Sequence, residues 1–478
     1  MTTVLSDHEL FLLAATSSSI IYLVLSYLYG RSQIPVLVAV FVFSNMISRT
    51  NLFQSFIQNS VPYFSKLIDR IVGLQATSLP KLSSSKGPGY DKFLALSDNS
   101  QLEILTAVKS LQAYATNSKK TNDRRRKLFK LMTWRQQKLC EDIGYLDKLK
   151  KIDTSIQSNQ SFLNAIADKS VTDFGLSYHD FEKLKNDSSS NQTSSTNYRV
   201  IEAIGHYLRD WNVEGFSELN PILKYVRQQL DATVPVNMRE KTCIVIPGSG
   251  LGRVAHEVAK FGSEKGEPTF GAVYGVEYSG LMHACNQFIY ADKSSDNKTS
   301  TAKTFELFPH VHSCSNLYDT ASQFRKEKVQ QLTSKPDNLH LSHEDFRYFK
   351  IDTPNKFENI IVVSVFFIDT AENLINYLDA IHSLTTPNSR NNNIKRGHWI
   401  NVGPLKYGSA AQVELNADEL KQIRAKMGWV DKDYKSSLHS NQITENGLVG
   451  YVTDKSSMWQ GYYGLTMWNS ARKENSTK

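Results

Sequence analysis

The sequence predicts an α/β protein, with a doubly wound, largely parallel sheet in its second half and a helical extension before it. Past Arg199, short β-rich runs alternate with helical runs, which is the order of parallel βαβ units. Between residues 101 and 184, apolar residues instead recur at three- and four-residue intervals, which predicts amphipathic helices. At 478 residues, the chain is long enough for two folded regions with accessory segments.

The composition says little about partners. The net charge of +8 and the pI near 9.0 suit an anionic surface, but the basic residues are spread along the chain as well as clustered. The four cysteines, Cys140, Cys243, Cys285 and Cys314, lack the CxxC and histidine spacing of zinc sites. We therefore predict neither a disulfide framework nor a metal site, and we expect a reducing compartment.

The amino terminus departs from the pattern of the rest of the chain. An uncharged apolar run at 10–30 has about the 20-residue length that crosses a bilayer, and a shorter run follows at 34–47. These runs fit one membrane helix, a re-entrant hairpin or a buried helical hairpin. Acids precede them and basic residues follow, which places the bulk of the chain in the cytosol. We expect 1–77 to be an apolar segment that could tether a cytoplasmic protein to a membrane through 10–47.

Composition also predicts the boundaries that follow. Residues 78–100 are rich in Ser, Pro and Gly, as linkers are. Residues 101–198 form the predicted helical extension, whose last part, 186–197, is too poor in apolar groups to offset its ordering entropy and is predicted to be disordered. A second polar insertion covers 293–303. The predicted α/β domain occupies 199–478.

The densest basic run, Lys119 to Lys138, lies inside the helical extension. A nucleic acid, an anionic lipid surface and a plain solvated helix face all remain open for it. No RNP motif, zinc finger or helix-turn-helix accompanies the run. Its role is therefore not fixed by the sequence.

A glycine loop follows the first strand of the α/β region. Gly248, Gly250 and Gly252 come after the apolar run 243–246 and open a helix near Arg253. The glycines permit a tight turn and a close approach to a ligand, and the helix amino terminus offers free N–H groups. The G-x-G-x-G spacing differs from the G-x-G-x-x-G dinucleotide fingerprint, and it favours S-adenosylmethionine over NAD.

Acidic residues follow at intervals that suit the same cofactor. Glu277 ends the next strand 25 residues after Gly252, close to the roughly 20-residue interval at which an acid meets ribose hydroxyls. Asp345 and Phe346 come just before a third strand, where the fold offers a carboxylate to the adenine amine and a ring to the base. Alternatively, Asp345 caps a helix and Glu277 is a surface acid. Their order and spacing favour the cofactor.

The apolar run that begins at Val362 leads into Asp369, so we predict a buried strand that ends on this carboxylate. Ligands of open α/β sheets sit outside the carboxyl ends of the strands, which places Asp369 in the cofactor crevice. Alternatively, Asp369 caps the helix that follows. That helix has an apolar stripe formed by Leu374, Tyr377, Leu378 and Ile381.

Four strings carry a family resemblance: HYLRDW, IPGSGLGRVAHEVA, VFFIDTAENLINYLDAI and GHWINVGPLKY. Together they closely resemble the N2227-type carnosine N-methyltransferases, from about Leu102 to Trp468 with polar interruptions. FFIDTA and WINxGPLxY are the specific strings. The resemblance implies a class I S-adenosylmethionine methyltransferase fold, Rossmann-like, behind a helical amino-terminal extension. It also implies methyl transfer to an imidazole nitrogen of carnosine, a histidine dipeptide, to give anserine.

The resemblance further implies which residues form the site. Asp369 is the implied catalytic residue, with Tyr407, Tyr462 and Tyr463 as its companions around the dipeptide. One departure concerns the substrate, because Gly408 and Ser409 stand where relatives have a substrate-contacting histidine. The implied contacts of S-adenosylmethionine are His206 (in place of a glutamine), Arg209, Gly248, Gly250, Gly252, Glu277, Asp345, Phe346 and Val365.

Two further function classes stay in view beside the dipeptide methyltransferase. A protein- or peptide-histidine N-methyltransferase would use the same ring chemistry, and Gly408 would leave it room. A non-catalytic membrane-associated adaptor would not need the glycine loop or Glu277. We predict no nucleic-acid partner, because the Asn/Asp-Pro-Pro-Tyr signature of base methylation is absent from the sequence. A homodimer is left open.

Overall fold

The structure is a computed structural model. It describes residues 42, 86–182, 192–212, 215–291, 302–387, 393–439, 444 and 446–473, with backbone only at 192–196 and 354. The described residues fall into two compact units. The smaller contains Thr121–Leu149, and the larger contains the described residues of Leu82–Lys120 and Lys150–Lys478.

Helices occupy the chain ahead of the sheet. In the larger unit the two longest helices run antiparallel, since the Ala115 N–H donates to the Gln160 side chain (2.7 Å) and the Lys119 ammonium donates to the Gln157 side chain (3.2 Å). Neither helix contains glycine or proline, so nothing interrupts their hydrogen bonding. The helices are α1 (Tyr90–Leu94), α2 (Asp98–Lys130), α3 (Trp134–Asp142), α4 (Tyr145–Asp173), α5 (Tyr178–Glu182), α6 (Gln192–Trp211) and α7 (Phe216–Thr233).

Three of these helices lie partly or wholly in segments that the sequence did not predict as helical. All of α1 and the start of α2 lie within 78–100, and α6 begins inside the polar stretch 186–197. The early residues of that stretch and most of 293–303 lie outside the described residues. So does the predicted tether at 10–47, apart from Val42. Within the part of the chain that the structure describes, no helix is both long and apolar enough to cross a bilayer.

A seven-stranded sheet forms the centre of the larger unit, in the order β5-β2-β1-β6-β7-β11-β8. Neighbouring strands from β5 to β7 are parallel, and β11 is antiparallel to both β7 and β8. The strands of this sheet are β1 (Thr242–Pro247), β2 (Ala272–Glu277), β5 (Leu339–His343), β6 (Asn359–Val365), β7 (Arg396–Gly403), β8 (Trp429–Ser436) and β11 (Thr466–Arg472).

Short elements complete the unit. Two small antiparallel pairs form beside the sheet, β3 with β4 and β9 with β10. They are β3 (Thr304–Leu307), β4 (Glu327–Gln330), β9 (Leu448–Gly450) and β10 (Tyr462–Gly464). The remaining helices are α8 (Arg253–Ala259), α9 (Gly280–Phe288), α10 (Thr320–Gln323), α11 (Leu374–Thr385) and α12 (Ala417–Lys426).

This strand order confirms the predicted fold class. The chain runs outward from β1 through β2 to β5, and then returns to β6 and β7 on the other side of β1. The point where the direction reverses, between β1 and β6, is where ligands bind in doubly wound sheets. β1 is buried throughout and β6 nearly so, as strands packed on both faces must be.

Buried aromatic and charged groups anchor the antiparallel end of the sheet. Trp399 and Trp468 pack edge to face, with ring centroids 5.0 Å apart. The buried Arg424 guanidinium lies 4.0 Å from the Trp468 ring and donates to Asp431 and Ser470 (both 2.6 Å). A buried charge is tolerated only when it is paired in this way. The arrangement fixes α12 against β8 and β11.

Candidate functional site

The glycine loop between β1 and α8 has the conformation that its sequence predicts. Gly248, Gly250 and Gly252 all have positive φ, at 59°, 53° and 79°. A Cβ on Gly248 would lie 2.5 Å from the Phe367 ring, and one on Gly252 would lie 2.5 Å from the Asn286 side-chain oxygen. Gly250 faces open space within 4 Å. The loop is therefore packed from behind and open at its middle residue.

The Glu277 carboxylate joins the ends of β1 and β2. One of its oxygens accepts the Gly250 N–H (2.7 Å) and the other accepts the Ser279 N–H (2.8 Å). Burial raises the pKa of Glu277 to about 7, against the opposing effect of these donors. The structure thus excludes the surface-acid alternative, because the side chain is buried. The Glu277 carboxylate is therefore a hydrogen-bond acceptor beside Gly250, the open residue of the glycine loop.

Asp345 follows β5, a strand that the sequence analysis did not identify. It caps the 3-10 helix Phe346–Tyr348, accepting the Arg347 N–H (2.9 Å), and it also pairs with the Arg347 guanidinium. The helix-cap interpretation of Asp345 is therefore correct as a description of its contacts. The position nevertheless lies at the carboxyl edge of the sheet, where the cofactor was expected.

An aromatic wall stands between Asp345 and the glycine loop. The buried Phe346 ring meets Phe367 edge to face (5.5 Å between centroids, 88°), and Phe367 stacks on Tyr377 (4.5 Å, 4°). Phe367 is also the ring against which Gly248 packs. Of these residues, only Phe346 was among the predicted contacts. A flat apolar surface of this kind suits a heterocyclic base.

Asp369 does not end the strand, which corrects the sequence prediction. β6 ends at Val365, and Phe366 leaves it with a φ of 51° while its N–H still donates to Val402 (3.0 Å). Asp369 lies four residues past the strand end, in the 3-10 helix Ile368–Thr370. The apolar pattern continues through Phe366 and Phe367, so nothing in the pattern marks the turn. Val365, the last strand residue, is at the crevice edge.

The Asp369 side chain is buried and holds the loop after β7. Its Oδ2 accepts the Lys406 N–H (2.9 Å). Burial raises its pKa, and the Lys406 N–H opposes that effect. It is not the cap of α11, because Asn373 accepts the N–H groups of Ile375 and Asn376 there. The cap alternative for Asp369 is therefore wrong.

Arg209, near the end of α6, has hydrogen-bond donors that are not used within the described residues. Its side chain is only 8% exposed, and its Nη1 donates to Asp210 (3.1 Å). Its Nε and Nη2 have no hydrogen-bond partner among the described residues. A buried guanidinium with open donors is costly unless an anion meets it. The guanidinium lies over the rings of Tyr451 (4.6 Å) and Phe366 (5.5 Å).

Tyr451 is a central site residue that the sequence analysis missed. It stacks on Phe366 with ring centroids 4.9 Å apart, and His206 meets it edge to face with centroids 5.7 Å apart. Burial raises the pKa of Tyr451 to about 12 and lowers that of His206, so both rings are held neutral. The residue lies in GLVGYVTD, which is not among the strings from which the site is predicted. No spacing rule marks it, because its partners are distant in sequence.

Of the three predicted tyrosines, Tyr463 contacts the aromatic group around Phe366, and Tyr462 and Tyr407 have other partners. Tyr463 joins the group, since its hydroxyl accepts from the Lys406 ammonium (3.1 Å) and its ring meets Phe366 edge to face (6.2 Å). Tyr462 is half exposed and donates to Gln460; adjacent strand residues point to opposite faces. Tyr407 donates to the Leu415 carbonyl (2.8 Å), so its hydroxyl proton is already engaged.

The segment that begins at the last residue of β9, residues 450–458, covers Arg209 and is firmly held. Glu218, in the first turn of α7, accepts the N–H groups of both Val452 (2.9 Å) and Thr453 (2.8 Å). Val452 has a φ of 54°, a strained value for a β-branched residue. Asp454 pairs with Arg325 (3.0 Å). A cavity of about 650 Å³ opens between this segment and α6, within the roughly 300–1,000 Å³ range of small-molecule sites.

Comparison with known proteins identifies the family. The family model described as carnosine N-methyltransferase matches residues 186–474, which is more than half of the chain. The chain belongs to the carnosine N-methyltransferase family. Carnosine N-methyltransferases of Schizosaccharomyces pombe and Mus musculus are each 26% identical to it. Their alignments cover 77% and 74% of this chain and 94% and 82% of theirs.

Two other comparisons qualify that result. An uncharacterized Saccharomyces cerevisiae protein, YMR209C, is 33% identical over 57% of this chain, and the match spans 54% of the yeast protein. A Listeria monocytogenes structure described as a putative class I S-adenosylmethionine-dependent methyltransferase has a TM-score of 0.31 and 10% identity, covering 79% and 90% of the two chains. The carnosine N-methyltransferase family uses S-adenosylmethionine, and the fold assignment of this member rests on its own strand order.

The two bonds from Glu218 generate a prediction about the covering segment. In Glu218→Ala, Val452 and Thr453 lose their acceptor, and the strain at Val452 is no longer balanced. Bonds to a carboxylate are worth about 1.5–3 kcal/mol each, so we expect amide exchange of residues 450–458 to rise at least roughly tenfold. Hydrogen exchange read by mass spectrometry measures this.

Glu264→Ala serves as the matched control, because Glu264 is exposed and its carboxylate pairs with Lys260 at 3.7 Å. Glu218→Gln keeps one acceptor oxygen and should give an intermediate rate. Unchanged exchange in residues 450–458 of Glu218→Ala would show that the segment is held without this carboxylate.

Proposed function

We propose that this protein transfers a methyl group from S-adenosylmethionine to an imidazole nitrogen of a histidine-containing dipeptide, of which carnosine is the type. The observation that carries the proposal is the buried Asp369 carboxylate, which lies just past the carboxyl end of β6 and accepts the Lys406 N–H. The same turn holds Phe366, whose ring lies under the Arg209 guanidinium with its open donors. Membership of the carnosine N-methyltransferase family supports the same reaction.

The residues at the sheet edge fit the cofactor. The open Nε and Nη2 of Arg209 suit the methionine carboxylate, since an ionised acceptor would satisfy two orphaned donors. Glu277 suits the ribose hydroxyls, and the open space at Gly250 leaves room for the ligand to approach the backbone. The Phe346 and Phe367 rings suit the adenine, with Asp345 available to its amine. His206, Gly248, Gly252 and Val365 complete the surrounding wall.

Asp369 would act on the imidazole ring. S-adenosylmethionine, when bound, supplies a methyl group already activated by its sulfonium, so the protein mainly positions reactants and excludes water. The Asp369 carboxylate can accept the N–H of the non-attacking ring nitrogen, which fixes the tautomer and stabilises the positive charge that develops on the ring. The Lys406 N–H holds that carboxylate in place. Tyr463 and Tyr451 would orient the rest of the dipeptide, with Tyr407 supporting the loop and Tyr462 at the rim.

A peptide- or protein-histidine substrate is the second candidate. A Cβ on Gly408 would meet nothing within 4 Å, so this side of the site has space where relatives carry a histidine. The cavity of about 650 Å³ beside Arg209 also has room for more than an imidazole ring. These two features favour a substrate with chain on both sides of the histidine, while the chemistry at Asp369 would be unchanged.

The remaining assignments along the chain are also proposals. We propose 1–77 as an apolar segment with a membrane tether at 10–47, 78–100 as a linker, 101–198 as the helical extension and 199–478 as the catalytic domain. The proposal of a cytosolic location rests on the charges that flank 10–47, and a homodimer is left open. Carbonate extraction of membranes and analytical ultracentrifugation measure these two properties.

The substrate prediction is tested with methyl-labelled S-adenosylmethionine and full-length protein. We expect label in carnosine, on a ring nitrogen, at a rate well above that with β-alanyl-alanine, which lacks the ring. The measurement is mass spectrometry of the product. Label only in the polypeptides of a cell lysate would favour the second candidate, and no label in any imidazole would contradict both.

The Asp369→Asn substitution tests the catalytic role. Asparagine keeps an acceptor for the Lys406 N–H but not the negative charge, so we expect kcat at saturating cofactor to fall by roughly 100- to 1,000-fold. Burial raises the pKa of Asp369, and the reaction needs its ionised form. The rate should therefore rise with pH as the carboxyl deprotonates, and Asp369→Asn should lose that acidic limb.

The matched control is Asp379→Asn, an exposed position on α11. It should leave the rate and its pH profile unchanged. Near-normal turnover in Asp369→Asn would remove Asp369 from the chemistry.

Glu277 generates a prediction about proton release. Ribose hydroxyls that donate to the carboxylate favour its ionised form and lower its pKa from about 7. Cofactor binding at about pH 6 should therefore release a proton, and the affinity should rise with pH until about pH 7 and then level off. Calorimetry in two buffers of different ionisation enthalpy counts the protons. Glu277→Gln should lose both effects and bind roughly tenfold more weakly.

Two variants serve as the non-binding control and the wild-type-like control for this measurement. Gly248→Val, whose side chain would enter the Phe367 ring, should not bind, and Glu264→Gln should behave like the wild type. Unchanged proton release in Glu277→Gln would assign the titration to another group.

A further inference from the structure

The smaller unit presents apolar side chains to solvent. The end of α2, all of α3 and the chain up to Ile143 form a stretch, residues 124–143, that we call the hairpin tip. Not one residue of α3 is buried. Trp134 is 80% exposed and Ile143 is 82% exposed. The other exposed large apolar residues of the tip are Leu128, Leu131 and Leu139.

Local interactions, rather than a core, stabilise α3. A capping box joins Thr133 and Gln136, and an ion pair joins Lys138 and Asp142 (3.0 Å). A helix held in this way gains nothing from its exposed tryptophan. Contiguous apolar groups left in water usually mark a surface that meets a partner.

The charge of the hairpin tip indicates the chemistry of that partner. Its 20 residues include seven Lys or Arg and two acids, Glu141 and Asp142. Arg124, Lys127 and Arg135 are exposed. An anionic surface would be attracted to this charge, and the apolar side chains would gain if that surface also had an apolar interior.

We propose that the hairpin tip docks on an anionic lipid bilayer. Lys and Arg attract acidic headgroups, and tryptophan is favoured at the boundary between headgroups and acyl chains. The combination of basic and apolar side chains is typical of segments that lie on a membrane without crossing it. A nucleic acid would pair with the basic side chains but would not bury Leu131, Leu139 and Ile143. The proposal concerns binding and does not depend on the proposed reaction.

The test is cosedimentation of the full-length protein with vesicles of phosphatidylcholine alone or with about 30% phosphatidylserine. We expect the wild type to bind the acidic vesicles at least tenfold more strongly. The triple variant Arg124→Gln, Lys127→Gln and Arg135→Gln should lose most of that preference, since each basic residue near such a surface is worth about fourfold or more in binding. Trp134→Ser should weaken binding to the acidic vesicles.

Matched controls come from the larger unit. The triple variant Lys328→Gln, Lys350→Gln and Lys426→Gln removes the same charge from exposed positions, and Trp459→Ser removes another exposed tryptophan. Both should bind acidic vesicles more like the wild type than the tip variants do. Because the substituted side chains are all exposed, the tip variants should keep the wild-type melting temperature.

Four results would overturn the proposal. The first is equal binding of wild type to neutral and acidic vesicles. The second is a tip variant that binds acidic vesicles as well as wild type. The third is tighter binding of the tip to a short RNA or DNA duplex than to acidic vesicles. That result would assign the surface to nucleic acid. Loss of a dimer in the tip variants, without any change in vesicle binding, would likewise assign it to a second copy of the chain.

Discussion

The turn at Phe366 is the constraint on which the candidate site depends. An aromatic residue with a φ of 51° costs about 1–3 kcal/mol and persists only when its surroundings over-determine it. Here the Phe366 N–H stays bonded to β7, and its ring is stacked on Tyr451. Because the chain leaves the sheet at this point, Phe367 packs beneath Gly248 and Asp369 reaches the loop after β7. A straight strand would have placed neither side chain in the crevice.

A second strained residue lies across the stack. Val452 also has a positive φ, and Glu218 holds its N–H from a helix 234 positions away in sequence. The Phe366–Tyr451 pair is therefore held from both sides by backbone that would not adopt these angles unaided. Arg209 lies over both rings with two open donors. The same packing that balances the strain leaves a guanidinium prepared for an anion.

The parts of the site that could be predicted from sequence are those set by local signals. The glycine loop, the end of β2 at Glu277 and the buried core of β6 follow from glycine spacing and apolar runs within a few residues. β5 was missed because LHLSH is half polar at a sheet edge, and the turn at Phe366 was missed because the apolar pattern runs through it. Tyr451 and Glu218 could not be predicted, since their roles exist only through contacts made across more than 200 residues. The family strings imply Asp369 as a site residue, and they do not give its position beyond the turn at Phe366.

The residues proposed for the chemistry and those proposed for substrate recognition lie in different parts of this chain. Glu277, Val365 and the glycine loop belong to strand ends, whose positions are fixed by ladders on both sides. Asp369 is fixed almost as well, through its bond to Lys406. Gly408 and residues 450–458, in contrast, belong to connections whose side chains meet open space or the cavity beside α6. Connections tolerate change more readily than strands do. With this construction, the proposed methyl transfer to an imidazole held by a carboxylate would be kept while the molecule that carries the imidazole changes, because the residues that would recognise its remainder are not the residues that hold the sheet together.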